Sequence, residues 1–253
     1  MGRRVLSGLP RGLFVLLCVI VPSDPGWPVE PAQVTVEVGP TRVRIQTPAL
    51  RVHVGLRRFR LRVRDQGRHR SILREDRAGG LFYERGGQRL GLREVTSVSV
   101  LPDGAELWVR TDEGTPARVT LRFRTQRALE VRFAPPDPDT VEAFGERLRS
   151  PRSERIYGLT ERLRDSPPLV PGVIEVPADD VRPPEVGSLN RRGEVVEMHV
   201  RPTFSLYAPF YQSSRGYGLF VSGTSFGSFD LAAGDPRVLS FRFENGSVPA
   251  TRE

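Results

Sequence analysis

Gly223-Thr224-Ser225-Phe226-Gly227 has the spacing of the G-x-S-x-G elbow, a turn between a strand and a helix that presents a serine nucleophile. That chemistry needs a helix after the serine and a histidine later in the chain. Ser228-Phe229-Asp230-Leu231 reads as extended instead, and no histidine follows His199. The match is therefore assigned to small residues in a turn. His53, His69 and His199 form no H-x-x-x-H or H-x-H pair, so no metal site is expected. Asp179-Asp180 offers two carboxyls, and glycoside cleavage needs two held about 5–10 Å apart. Neighbours on an extended chain point to opposite faces, so this pair does not supply that geometry. Asn245-Gly246-Ser247 fits a glycosylation sequon, a three-residue pattern common by chance. No catalytic residue, metal ligand or cofactor is assigned.

Composition removes further chemistry. The 38 basic residues are all arginine, which excludes the P-loop and the lysine Schiff base. The single cysteine, Cys18, excludes a disulfide framework and a cysteine zinc cluster. A net charge of +8 ordinarily points to nucleic acid or an anionic membrane. Here the arginines alternate with apolar residues, as in Phe59-Arg60-Leu61-Arg62-Val63-Arg64 and Leu121-Arg122-Phe123-Arg124. Such alternation spreads the charge over solvated sheet faces, and no nucleic-acid partner is expected.

The elements that must position any site are strands. From Val34 onward the dominant period is two, through Val43 to Gln46, Leu50 to Val54, Phe59 to Arg64 and Val95 to Val100. Leu107 to Arg110, Val119 to Arg124 and Leu129 to Phe133 continue it, and Val195 to Val200 and Val238 to Phe243 close it. Turn signals such as Asp65-Gln66-Gly67 and Pro102-Asp103-Gly104 separate them, which predicts an antiparallel sandwich or barrel. Only Val141 to Arg149 suggests a short helical turn. A proline-rich stretch, Leu163 to Gly187, is long for a loop inside a compact domain. Arg3, Arg4 and the apolar run Leu13 to Val21, followed by Pro22, Pro25 and Pro28, read as a secretory signal. The organisation expected is a leader over residues 1–26, one β domain over 27–253, and a secreted or periplasmic location.

Tyr207 to Val221 is aromatic-rich about a Ser-Ser-Arg-Gly turn and predicts a β-hairpin. That hairpin, with Glu154-Arg155-Ile156-Tyr157-Gly158-Leu159-Thr160-Glu161 and Leu189-Asn190-Arg191-Arg192-Gly193, resembles glycoside hydrolase family 31 in order and spacing. Thr160 stands where the family has glycine. The resemblance is specific over Glu154 to Leu231. It implies an all-β antiparallel supersandwich, galactose mutarotase-like, that packs in the family against a catalytic (β/α)8 barrel absent here. It also implies that the parent enzymes are retaining α-glycosidases whose two catalytic aspartates lie in that barrel. Asn190, Arg191 and Arg192 match a loop that lines the outer sugar subsites, so substrate binding is expected there. Tyr157 and Glu161 are expected to fix the sandwich. The chain is thus expected to be an N-terminal carbohydrate-binding or scaffold domain, truncated at its C-terminal end and inactive alone.

A free-standing carbohydrate-binding or adhesion module on the same fold is the alternative. A mutarotase-like epimerase would need a histidine and a glutamate converging in a pocket. His199 and Glu197 share a strand face but lack a second histidine nearby.

Overall fold

The computed structural model describes residues 14–20, 33–160, 190–198, 207–222 and 225–245. The first six strands are β1 (Phe14–Ile20), β2 (Thr35–Val38), β3 (Arg42–Gln46), β4 (Leu50–Gly55), β5 (Leu61–Asp65) and β6 (Arg70–Arg74). The next six are β7 (Leu81–Arg85), β8 (Gln88–Leu101), β9 (Gly104–Thr111), β10 (Pro116–Thr125), β11 (Ala128–Ala134) and β12 (Ala143–Arg149). The last six are β13 (Ile156–Thr160), β14 (Val195–Met198), β15 (Tyr207–Ser213), β16 (Tyr217–Phe220), β17 (Gly227–Leu231) and β18 (Val238–Glu244). One 3-10 turn, Pro138–Thr140, interrupts them. All the strand pairings are antiparallel, and the expected all-β sandwich is what forms.

Strands β2 to β6 make a five-stranded meander. In β3 to β5 burial alternates as the period of two demands, with Val52 and Val54 of β4 and Leu61 and Val63 of β5 inside. The other strands form a thirteen-stranded sheet in the order β13-β15-β16-β1-β11-β10-β9-β8-β7-β12-β18-β17-β14. Strand β8 joins its two halves. Gln88 to Gly91 pairs with β7, and Leu92 to Leu101 pairs with β9 across two register shifts. Bulges of this kind bend a strand and raise its twist, letting one strand serve two sheet sections. Residues of both sheets share one continuous core, including Ile45, Leu73, Leu107, Phe133, Phe229 and Phe243.

One sequence expectation changes. Val141 to Arg149 holds a strand, not a helical turn. β12 lies between β7 and β18 and buries both its faces, so it shows no alternation. The apolar run assigned to a leader contains β1, which pairs with β11 on one side and β16 on the other. Phe, Val and Ile at close spacing suit a strand as well as they suit a leader. The other residues of the expected leader, 1–13 and 21–26, lie outside the described residues.

Gly145, in the middle of β12, shows how tightly this section closes. A Cβ there would overlap the carbonyl oxygen of Phe241 and the ring of Phe82. Gly145→Ala is expected to cost about 1–3 kcal/mol in thermal unfolding. Gly79→Ala, whose added carbon meets no atom within 4 Å, is the control and should stay near wild type.

Candidate functional site

Asn190, Arg191 and Arg192 sit just before β14 and are bound to β13. The Asn190 Oδ1 accepts from the Ile156 amide at 2.9 Å and from the Arg192 amide at 3.3 Å. The Arg191 amide donates to the Ile156 carbonyl at 2.8 Å. Its guanidinium donates to the Gly158 carbonyl at 3.1 Å and to Glu194 Oε2 at 3.1 Å. Arg192 reaches the other way, to Ser150 Oγ at 2.7 Å, the Glu154 carbonyl at 3.3 Å and the Pro236 carbonyl at 2.6 Å. Among the described residues nothing engages the Asn190 amide NH2. All three side chains are half-buried.

The same strand receives the aromatic hairpin. β13 pairs with β15, and the Ser214 amide donates to the Arg155 carbonyl at 2.9 Å. The Arg155 amide returns a bond to Ser214 Oγ at 2.9 Å. Gly216, at φ +80°, closes the β15–β16 turn in the left-handed region that glycine alone enters freely. Gly158 and Leu159 both have positive φ, at 106° and 72°, and a register shift separates Gly158 from Thr160. The backbone kinks where the Arg191 guanidinium caps it.

Beneath this junction lies Glu154, a residue the sequence reading quoted without a role. Its Oε1 accepts from Ser213 Oγ at 2.5 Å and from the Tyr217 hydroxyl at 3.0 Å. Its Oε2 accepts from Ser150 Oγ at 2.8 Å, with an Arg215 guanidinium nitrogen 3.8 Å away. Burial, and then the Glu154 charge, push the Tyr217 phenol far above its ordinary value, so it remains a donor.

Beside Glu154 opens a cleft of about 570 Å³ lined by Ser71, Arg74, Arg149, Ser150, Pro151, Arg152, Arg215 and Arg237. The Arg70 guanidinium donates to the Arg215 carbonyl at 2.8 Å, and Arg215 donates to the Ser71 carbonyl, tying the two sheets together at its floor. Burial, and then the guanidiniums of Arg62, Arg149, Arg77 and Arg215, depress the Arg74 pKa. The expected even spread of arginine over solvated faces therefore fails here. A second arginine-rich hollow surrounds His53 on the small sheet, formed by Arg42, Arg51, Arg60, Arg62 and Arg64. Burial, and then Arg42, Arg44, Arg51 and Arg62, hold the His53 imidazole below its usual range.

Other sequence candidates separate. Ser225 is followed by strand β17 rather than a helix, in keeping with rejection of the nucleophile elbow. Asn245 is 4% exposed and donates to the carbonyls of Pro138 and Val141, each at 2.9 Å, which leaves its amide no room for a glycan. Asp179, Asp180, His199 and Glu161 lie outside the described residues. No group of three or more His, Cys, Asp or Glu able to hold a metal occurs among the described residues.

No protein-family model matches the sequence, and comparison with curated proteins returns no match. Solved structures do resemble the chain. A Flavobacterium johnsoniae GH31 dextranase complexed with glucose is 17% identical, with a TM-score of 0.46 over 89% of this chain and 19% of that one. The cycloalternan-forming enzyme from Listeria monocytogenes, in complex with a pentasaccharide substrate, is 15% identical with a TM-score of 0.48, over 91% and 16%. A GH31 sulfoquinovosidase from E. rectale, in complex with an aza-sugar inhibitor, is 13% identical with a TM-score of 0.48, over 83% and 30%. The chain thus spans 16–30% of the length of these structures.

Proposed function

We propose that the chain is the β-sandwich unit of an α-glycosidase similar to glycoside hydrolase family 31, and that it presents the Asn190–Arg192 loop to a carbohydrate. The observation that carries this reading is convergence. The three sequence segments that resemble the family, separated by the proline-rich stretch, meet at one strand. Asn190 and Arg191 bind the backbone of Ile156 and Gly158, while the hairpin binds Arg155 and pairs with β13. A resemblance by chance would have no reason to assemble in space.

The loop's chemistry suits sugar hydroxyls. A carboxamide NH2 and guanidinium groups are directed donors, and among the described residues the Asn190 NH2 has no partner while its oxygen anchors the loop. Hydrolysis requires two carboxyls across a glycosidic bond. The described carboxylates near the loop, Glu154 and Glu194, are occupied by hydroxyls and by Arg191. On this reading catalysis belongs to the barrel that the family resemblance implies, and the chain alone is not expected to turn over a glycoside.

Asn190→Asp tests the loop, because it keeps the anchoring oxygen and removes the donor. The full chain is expected to bind an α-linked glucose disaccharide weakly in a titration, and Asn190→Asp to lose at least tenfold in affinity with the fold intact by circular dichroism. No hydrolysis of p-nitrophenyl α-glucoside or α-xyloside is expected. Turnover abolished by replacing a carboxylate of this chain would overturn the proposal, as would unchanged disaccharide binding in Asn190→Asp.

A further inference from the structure

We propose that the arginine cleft between β6, β12 and the β15–β16 turn is a binding site for an oxyanion, the phosphate or sulfate group of a small ligand. Five of its eight lining residues are arginines: Arg74 from the small sheet, Arg149 and Arg152 from the end of β12 and the turn after it, Arg215 from the hairpin turn, and Arg237 ahead of β18. Many of the described arginines are answered by a carboxylate, as Arg44 is by Glu37, Arg93 by Asp112 and Arg242 by Glu84. Arg74, Arg149, Arg152 and Arg237 enter no ion pair or side-chain hydrogen bond among the described residues.

The carboxylates near the cleft do not serve them. Glu154 is engaged by three hydroxyls and lies 3.8 Å from Arg215. Asp235 Oδ1 accepts from the Arg237 amide at 2.9 Å. Four strands' worth of structure therefore holds like charges together around a concavity, at a cost that a bound anion would reverse. Guanidinium is the group best matched to such a ligand, since its planar fork gives paired hydrogen bonds to phosphate or sulfate oxygens. At about 570 Å³ the cleft falls within the usual span of small-molecule sites and admits a sugar bearing the anion. Arg192, which donates to Ser150 on the cleft wall, links it to the Asn190 loop.

The test is titration calorimetry of the full chain at near-physiological salt with inorganic phosphate, inorganic sulfate, glucose 6-phosphate and glucose. Binding of the anions is expected, with at least a tenfold loss in Arg149→Gln/Arg237→Gln, whose side chains are exposed and make no hydrogen bond or ion pair among the described residues. Arg42→Gln/Arg64→Gln, which removes the same charge from the small sheet, is expected to bind as wild type does. Glucose 6-phosphate binding tighter than inorganic phosphate would identify a sugar ester as the ligand, and equal binding a free anion; either supports the site. Absence of anion binding would overturn it and leave the cleft to a partner's acidic surface. An equal loss in both double variants would overturn it as a general charge effect. Glucose alone reports on the loop proposed above, so the two readings fail separately.

Discussion

Glu154→Ala is expected to lower the stability of the folded protein by about 3–5 kcal/mol, the range seen when one partner of a buried charged cluster is removed. The carboxylate is 1% exposed and is the acceptor for three hydroxyls. Ser150, Ser213 and Tyr217 are themselves 1%, 7% and 3% exposed, so water cannot readily replace the lost acceptor. Each orphaned buried donor costs about 1–3 kcal/mol, and Arg215 loses the one anion near it among the described residues. Glu154→Gln keeps the volume and one acceptor oxygen. Because hydroxyls can turn to accept from the new NH2, its loss should be about half as large. Urea unfolding with an unchanged slope is the measurement. A Glu154→Ala midpoint close to that of wild type would show that the hub is not what joins the hairpin to β13.

Raising the pH through neutrality is expected to weaken the fold through a second buried pair, Glu75 and Glu146. Both side chains are almost wholly buried, at 1% and 2% exposure. Glu75 lies between the sheets and accepts from the Leu61 amide at 2.6 Å and the Leu81 amide at 3.0 Å. Burial pushes its pKa up to about 7 against the pull of those two amides and of Arg60. Burial, and then the charge of Glu75, push Glu146 well above the ordinary carboxyl range. The two titrate as a pair, each carboxyl raised by burial.

The sign follows from linkage. A raised native pKa means that the folded state binds more protons than the unfolded one at neutral pH. The associated stability is complete below about 4.5, the ordinary value, and is lost as pH rises through 7 and beyond. Unfolding free energy should therefore fall by up to roughly 1.4 kcal/mol per pH unit for each retained proton. Glu146→Gln removes one titrating group without adding charge and should flatten the curve between pH 6 and 9. A wild-type profile already flat over that range would contradict the pairing.

How much was legible depended on which physical signal each element carries. β4 and β5 bury one face only, so their alternation announced them, as did that of β10 and β11. β6 and β7 bury adjacent residues, Ile72 with Leu73 and Leu81 with Phe82 and Tyr83, and such short double-faced strands leave no period to read. β12 hid for the same reason, and the charge of Glu146 at its centre disguised it further. At the candidate site, the Asn190–Arg192 loop was found from its motif, but its contacts were not. The hydroxyls that bind Glu154 from β15 and β16 are 59 and 63 residues away in the chain. The cleft is assembled from two sheets and two turns, and local alternation gave only the impression of charge dispersed.

The place of β1 has a consequence for maturation. Its seven residues lie inside the apolar run that reads as an export leader, and they also fill the space between β11 and β16. Removal of a leader through Val21 would take that strand away and expose two rows of backbone donors and acceptors, facing each other across a gap of about 10 Å, twice the interstrand spacing. The large sheet would part there, leaving β13, β15 and β16 on one side of the breach. If the run is such a leader, export and sheet closure would be competing fates of a single peptide: a precursor folded with β1 in place would withdraw it from the secretion machinery, and a processed chain would carry a vacancy shaped for a substitute strand.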